Sequence, residues 1–409
     1  MNRPWFPRAL TIVVLAAAAT GCESESAGFF TVSGTVRDRD GGPLEGISVT
    51  CDDMKGTAVS DVDGNFDLKC VLPERQLPED PAPLAVVMFQ GGGFAPSAKT
   101  VMPVEDIRIG MEVIMEKRAS SHDVSIPAGN VSVPVLVETM GLSFRKDALL
   151  DETGIPVAGT ASFKAASWDI SLPVEMDEGT NKIITDAINP PLNRQAVVPG
   201  DGTWLRPLAA GWLDTAPASI NPNVGIDLQM FSQFADDALG RQISDPEDSR
   251  IFFLDTTTGL MKEIDDATLI AQNQVGTKVI DPGLWVWMAP HAQHACFDVT
   301  VNKGDNPVNG AQVKAFEMFG DDREKSLDEA IGSEDGHYCL RAVQGKSVQI
   351  EVVIPGKDGL LTLSRDLMSG GTAACGDGCN PIKFEFPCEI NKDCAPDAEC
   401  LEGECVARD

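Results

Sequence analysis

The chain has four histidines, and two of them have the residue type and spacing that could hold a metal ion. His291 and His294 stand three residues apart, just after an apolar segment at 283–290. No histidine is followed by glutamate at the spacing His-x-x-Glu, and no His-Glu-x-x-His occurs, so the zinc pair of a metallopeptidase is missing. No acid lies close to these imidazoles in the sequence. We therefore interpret them as solvated or core-capping residues and predict no metal and no cofactor.

Two further motifs, for calcium binding and for a serine nucleophile, are incomplete or absent. Asp61 and Asp63 precede Gly64 as in part of a calcium loop, but the later ligands and the closing glutamate are missing, and a hairpin turn explains the pattern. The serine nucleophile motif Gly-x-Ser-x-Gly is absent. We predict no catalytic residue and no enzyme. The alternative is a hydrolase whose site assembles from scattered residues of the middle region, such as Asp255, Glu263 and His291.

Trp285 and Trp287 alternate along one segment, so in a strand both rings face the same side. Such a pair usually forms part of a sandwich core. The alternative is that the two rings stack on a sugar, which would make this a carbohydrate-binding surface protein.

The N-terminus contains the strongest targeting signal. Arg3 and Arg8 precede an apolar run at 9–19, which is too short to span a membrane. Cys22 follows Thr20 and Gly21, and this segment resembles the lipobox of bacterial lipoproteins, in which the cysteine is lipidated. The resemblance implies a signal peptide at 1–21, a lipid anchor on Cys22 and a tether at 22–29. Glu23 then favours the outer membrane, on its periplasmic or surface face. The alternative is ordinary secretion after cleavage near Ala19.

The net charge of −30 bears on possible partners. An acidic surface repels nucleic-acid phosphates, and it also repels anionic lipid headgroups. We therefore expect no nucleic acid, membrane attachment through the lipid, and an envelope protein or glycan as partner.

Short Val/Ile/Phe-rich runs bounded by Gly, Pro, Asn and Asp predict a mostly β fold. Ten cysteines besides Cys22 form an even set, which in an exported protein indicates disulfides. They are Cys51, Cys70, Cys296, Cys339, Cys375, Cys379, Cys388, Cys394, Cys400 and Cys405. None forms the C-x2-C pairs that structural zinc sites use.

One pattern occurs twice, at 30–117 and at 296–385. In each copy a strand precedes a Pro-containing turn, a second strand follows, and a later Asp-Gly turn leads to an aromatic residue, Phe66 or Tyr338. The pattern resembles the carboxypeptidase regulatory-like domain, a seven-stranded sandwich of the transthyretin type that serves as a non-catalytic accessory module. The resemblance implies tandem β-sandwiches. Within them we expect the bridges Cys51–Cys70 and Cys296–Cys339.

The remaining regions are a middle β-rich domain at 118–295 and a Cys-rich tail at 386–409. The middle region, with Arg250 to Glu263 and the Trp285 strand before Cys296, resembles the ectodomain of the cartilage intermediate layer protein family. Whether it forms one domain or two is left open. For the tail we favour first-to-third and second-to-fourth pairing among three connectivities, in a knot that is either a contact module or an end-cap. Cys375 and Cys379 are expected to close a local loop.

Overall fold

The computed structural model describes residues 28–38, 40–51, 56–73, 84–91, 93–115, 121–171, 176–177, 182–183, 204–244, 247–254, 261–291, 294–319, 322–371, 378–396 and 398–407. The predicted leader, Cys22, Asp255 and Cys375 lie outside these residues. Strands dominate the described residues, which also contain one α-helix, α1 (Ala235–Leu239), and a 3-10 turn (Asn391–Asp393). Across the described ranges, no helix has the length and apolar character to cross a membrane.

The first β-sandwich contains seven strands, as the family resemblance implies. They are β1 (Phe29–Asp38), β2 (Ser48–Cys51), β3 (Thr57–Val59), β4 (Asn65–Val71), β5 (Ala85–Gly91), β6 (Phe94–Val101) and β7 (Arg108–Met115). One sheet has the order β4-β1-β7, with β7 parallel to β1, and the other has the order β3-β2-β5-β6. Strand β1 alternates buried Phe30, Val32 and Val36 with polar residues, so one face of its sheet builds the core.

The third β-sandwich repeats this strand order. Its strands are β23 (His294–Lys303), β24 (Asn306–Pro307), β25 (Gln312–Phe319), β26 (Asp322–Ile331), β27 (His337–Val343), β28 (Ser347–Pro355), β29 (Leu360–Met368) and β30 (Asn380–Phe386). β23 pairs with β27 and, in parallel, with β30, while the second sheet runs β26-β25-β28-β29. Matching bonds join Val36 N–H to Gly64 O (2.8 Å) and Val301 N–H to Gly336 O (3.1 Å). The internal repeat is therefore structural.

The described residues of the middle region form one sandwich around one core. Its strands are β8 (Ser121–Ile126), β9 (Val133–Val137), β10 (Met140–Phe144), β11 (Leu149–Leu150), β12 (Gly159–Asp169), β13 (Met176–Asp177), β14 (Lys182–Ile183), β15 (Leu205–Asp214), β16 (Ser219–Ile220), β17 (Ile226–Phe231), β18 (Arg250–Leu254), β19 (Met261–Ile264), β20 (Thr268–Ala271), β21 (Gln274–Val279) and β22 (Gly283–Pro290). A five-stranded sheet, β20-β21-β17-β10-β9, faces a six-stranded sheet, β19-β18-β22-β15-β12-β8. Between them lies a single apolar cluster that runs from Val124 to Ala289.

The central strands of the six-stranded sheet are buried on both faces. Its inner face carries Trp285 and Trp287, while its outer face carries Trp212, Phe252 and Met288. That outer face packs against Val86, Met88, Ala95 and Ala98 of the first sandwich. Double-sided burial explains why 283–290 is a nearly continuous apolar run rather than an alternating one.

The described disulfides of the first and third sandwiches lie at different places in the repeated fold. Cys51 bonds Cys70, as predicted, and joins β2 to β4. Cys296, however, bonds Cys379, so the predicted bridges Cys296–Cys339 and Cys375–Cys379 are both wrong. The reason is the register. Phe297 lies opposite Asn380 on the parallel strand β30, which places Cys296 beside Cys379, whereas Cys339 lies opposite Asp298, two residues further along β23. Cys339 is also disulfide-bonded.

The Cys-rich tail forms the predicted pairs Cys388–Cys400 and Cys394–Cys405 and a hairpin of β31 (Ala398–Leu401) and β32 (Glu404–Ala407). It packs on one end of the third sandwich. Lys303 Nζ lies 2.6 Å from Glu389 Oε2 and 3.5 Å from Asp393 Oδ2, and Asp305 N–H donates to the Asp393 carbonyl (3.0 Å). These contacts favour the end-cap interpretation.

Candidate functional site

The two tryptophans proposed for sugar stacking are inaccessible. Trp285 is 2% exposed and Trp287 is fully buried, both in the middle core. Trp287 Nε1–H donates to the Asp248 carbonyl at 2.6 Å. The two rings do share one side of β22, as alternation predicts, but that side faces the five-stranded sheet. Trp285 and Trp287 are therefore core residues, as the sandwich-core interpretation predicts, and the alternative ligand-binding role is wrong.

The scattered residues proposed for an assembled hydrolase site do not converge in the described part of the chain. Glu263 lies on β19, where its carboxylate pairs with the Arg250 guanidinium (2.7 and 2.8 Å). His291 follows the last residue of β22, two strands away, and is 3% exposed. Asp255 lies outside the described residues. Glu263 and His291 therefore belong to different parts of the middle sandwich.

The Asp-Gly motifs form turns. Asp61 Oδ1 accepts the backbone N–H groups of Asp63 (3.0 Å) and Asn65 (2.8 Å), and Asp335 Oδ1 accepts that of His337 (3.1 Å). The Asn65 N–H is the main cause that lowers the pKa of Asp61, because it stabilises the ionised carboxylate. The hairpin interpretation of this motif is therefore correct, and the oxygens that would bind calcium serve as turn acceptors.

A cluster of buried charges between the first and third sandwiches went unpredicted, and we call it the ionic clamp (Lys99, Glu112, Gln312, Lys314 and Glu329). Lys99 Nζ lies 2.5 Å from Glu329 Oε2, and the two side chains are 10% and 8% exposed. Gln312 Nε2–H donates to Glu329 Oε1 (2.5 Å). Lys314 Nζ lies 3.6 Å from Glu112 Oε2. Each charge of the clamp thus has an opposite partner across or beside the interface.

The side chain of Gln312 binds the backbone of the first sandwich in the way that a neighbouring strand would. Its Oε1 accepts the Glu112 N–H (2.7 Å), and its Nε2–H donates to the Glu112 carbonyl (3.0 Å). Glu112 belongs to β7, an edge strand whose polar backbone would otherwise face solvent. The side chain of Gln312 therefore satisfies one residue of an open sheet edge.

The electrostatics of the clamp keep Glu329 ionised. Burial raises the pKa of this carboxyl, but Lys99 and Lys314, together with the hydrogen bonds from Lys99 and Gln312, outweigh burial and lower the pKa below its usual value. A carboxylate without those cations would be expensive in such a place. The clamp is therefore a matched set that depends on all its members.

Glycines allow the backbones of the two sandwiches to approach each other next to the clamp. Gly110 N–H donates to the Gly310 carbonyl at 2.9 Å. A Cβ added to Gly310 would lie 2.0 Å from the Arg108 carbonyl oxygen, and one added to Gly110 would lie 2.7 Å from Pro355 N. Glycine is required at these positions because no side chain fits.

The sequence contains a partial signal for the clamp. Gln312, Val313, Lys314 and Ala315 alternate polar and apolar, which predicts a strand with one face in solvent. Val313 and Ala315 do face the third core, but the polar face is covered by the first sandwich. Because one strand cannot show that another domain covers it, the buried polar face was not foreseeable.

No family model and no curated protein sequence matches this chain. Among solved structures, chlorocatechol 1,2-dioxygenase from Pseudomonas putida is 14% identical, with 23% of this chain and 63% of that chain covered and a TM-score of 0.19. The major pilin subunit BcpA of Bacillus cereus is 8% identical, with 87% and 99% covered and a TM-score of 0.17. The Bacillus anthracis TIE protein is 9% identical, with 88% and 50% covered and a TM-score of 0.17.

The chain spans between 55% and 63% of the length of the four dioxygenase structures that it matches. TM-scores this far below 0.5 carry no argument about activity or location. The predicted memberships in the carboxypeptidase regulatory-like and cartilage intermediate layer protein families remain resemblances that no sequence match supports. What is established is a nearly all-β chain of tandem sandwiches with a disulfide-rich C-terminal end.

Proposed function

We propose that the chain is a non-enzymatic lipoprotein of the cell envelope, anchored through Cys22, that acts as a binding or scaffold protein. The observation that supports this most directly is the ionic clamp. Lys99, Gln312 and Glu329, which are residue types able to do chemistry, are used to hold two sandwiches together. A rigid chain of modules presents outer faces and loops to a partner at fixed relative positions.

The proposed partners are a membrane, through the lipid on Cys22, and a second protein of the envelope. The net charge of −30 disfavours nucleic acid. Burial of Trp285 and Trp287 removes the surface that favoured a glycan. A protein partner is therefore the stronger proposal, and glycan recovery becomes an outcome of the test.

The first test is lipidation. Cells that express the whole chain are labelled with radioactive palmitate, and their membranes are separated by density. We expect label in the wild type, mainly in the outer-membrane fraction, and neither label nor membrane retention for Cys22→Ala. A wild-type chain that is exported without label would refute the lipoprotein proposal.

The second test is crosslinking in intact cells of the source organism, followed by identification of the material that co-purifies with the chain. A defined envelope protein recovered at stoichiometric yield supports the scaffold proposal. Recovery of polysaccharide alone would replace it with glycan binding. Hydrolase activity in the purified chain that a point substitution abolishes would show the proposal to be wrong.

A further inference from the structure

The segment that connects the middle and third sandwiches contains a buried histidine beside a tryptophan. His291 follows β22, the strand of the middle sandwich that ends at Pro290, and precedes β23, the first strand of the third. The backbone N–H of His291 donates to the Trp204 carbonyl (2.9 Å), and the His291 ring centroid lies 5.1 Å from that of Trp204. The His294 ring lies 5.6 Å from the same indole. We call Trp204, His291 and His294 the histidine junction.

The charged groups that act most strongly on His291 are cationic. Arg206 of β15 and Arg241, which follows α1, act on it electrostatically, as does His294 of β23. The nearby carboxylates serve other partners. Glu317 of β25 lies 3.8 Å from Arg206 and 3.1 Å from Lys346 of β28, and Asp248 is bidentate with Arg241 (2.6 and 2.7 Å).

Among the described residues, no carboxylate contacts His291, which is 3% exposed. A proton added to His291 would therefore be buried without a counter-ion, next to two guanidinium groups. This is the arrangement in which a histidine is stable when neutral and destabilising when charged.

We propose that the histidine junction is an acid-sensitive latch, which keeps the connection between the middle and third sandwiches closed while His291 is neutral and lets it open locally when His291 is protonated. Burial is the largest cause that lowers the pKa of His291 from 6.5 to about 4, and Arg206, His294 and Arg241 lower it further. Since the pKa is depressed in the closed state, the stabilisation is complete above about pH 6.5. It is lost progressively as the pH falls from 6.5 towards 4.

The latch differs from acid unfolding of the ionic clamp in its pH window. Glu329 has a lowered pKa, so its contribution is present above the usual carboxyl range and is lost only as the pH falls below it. A response between pH 6.5 and 4.5 therefore reports on histidine, and a response at lower pH includes the carboxylates.

Hydrogen–deuterium exchange of peptides that cover 283–303 in the whole disulfide-bonded chain tests the latch, after correction for the intrinsic pH dependence of exchange. With pKa values of about 4 closed and 6.5 open, the equilibrium constant for opening should rise roughly 20-fold between pH 7 and pH 5. His291→Phe keeps a ring beside Trp204 and cannot be protonated, so its protection should stay flat over this window. His337→Gln, which alters an exposed histidine paired with Asp298, should behave as wild type.

Unchanged protection in wild type from pH 7 to 5, or an equal loss in His291→Phe, would overturn the proposal. Should His291→Phe not fold, His291→Gln provides a second neutral side chain with the same expected flat profile. Independently, NMR of the carbon-13-labelled imidazoles should show the His291 ring titrating near pH 4. Titration of that ring at 6.5 or above would also overturn the latch.

Discussion

Ala98 and Lys99 are consecutive residues of β6, yet they lie in interfaces of opposite character. Ala98 faces the six-stranded sheet of the middle sandwich within an apolar cluster that includes Trp212 and Phe252. Lys99 points to the other side of the strand and pairs with Glu329 of the third sandwich. One strand of the first sandwich thus fixes both neighbours, with hydrophobic burial towards one and matched charges towards the other.

The difference between the two interfaces lies in what each requires of its partners. Apolar burial is roughly proportional to area and tolerates many side chains of suitable volume. A buried ion pair contributes little net stability, because desolvation offsets the attraction, but removal of one partner is costly. The apolar interface should therefore supply most of the stability of the assembly. The ionic clamp should mainly dictate how the third sandwich is placed.

The largest effect is expected from a charge in the apolar interface. Ala98→Asp would bury an unpaired carboxylate, which costs about 3–5 kcal/mol, and the added atoms would cost about 1–3 kcal/mol more. Urea unfolding followed by circular dichroism should show this loss or no folded protein at all. Val59→Asp is the matched control on β3 of the same sheet, since Val59 is 64% exposed, and it should change the free energy of unfolding by under about 0.5 kcal/mol. Equal stability of the two variants would contradict the apolar interface.

The second effect distinguishes pairing from burial in the clamp. Glu329→Gln removes the negative charge and leaves Lys99 buried without its counter-ion, so we expect a loss of about 3 kcal/mol in the free energy of unfolding. The double variant Lys99→Met/Glu329→Leu replaces the ion pair by apolar side chains and should be close to wild type. A double variant as unstable as the single one would show that the pair itself supplies the stability.

The sequence predicted the fold better than the interfaces because strand patterns report burial but not its source. Alternation in β1 and the turns at Gly64 and Gly336 predicted strands and hairpins, and the family resemblance of the repeated pattern implied the tandem sandwiches. The alternation of polar and apolar residues around Lys314 was the same as in a strand with one face in solvent. The tryptophan pair shows the same limit. The alternate spacing of the two residues showed that both rings lie on one side of the strand, whereas their complete burial depends on the five-stranded sheet that covers them.

The predicted disulfide pairing was wrong where it relied on analogy between the two repeats and not on the register of the paired strands. Cys51 and Cys70 were paired correctly from their positions at the end of β2 and near the end of β4. Cys296 was paired by analogy with Cys339, although its actual neighbour is Cys379 at the start of a parallel strand. The strand pairing that decides this comes from residues about eighty positions apart, and local spacing does not show it.

A third prediction concerns the close backbone contact beside the clamp. Gly310→Ala places a methyl group 2.0 Å from the Arg108 carbonyl, so the two backbones must separate, at a cost of about 1–3 kcal/mol. Gly129→Ala is the control, because its added Cβ meets no atom within 4 Å. Thermal unfolding of both variants at one pH provides the comparison. A Gly310→Ala variant that melts with the control would mean that the two sandwiches are not held this closely.

The smallest effect is expected at the tail, where an ion pair joins the knot to the third sandwich. The hydrogen bond from Lys303 is the main cause that lowers the pKa of Glu389. Its stabilising effect on the tail is therefore complete above the usual carboxyl pKa and is lost as the pH falls through the lowered pKa. Lys303→Met should raise the pKa of Glu389, measured by NMR, and destabilise the tail by up to about 1 kcal/mol.

Lys383→Met is the matched control, since Lys383 forms an exposed pair with Glu385 at the same 2.6 Å separation. Both side chains of that pair are more than half exposed, so its loss should change neither the pKa of Glu389 nor the rate at which dithiothreitol reduces the tail disulfides. Lys303→Met should speed that reduction, because the Cys394–Cys405 bridge packs beside Gly304, the residue after Lys303. If the two variants behave alike, the tail is held by its backbone contacts to Asp305, and the charge of Lys303 is dispensable.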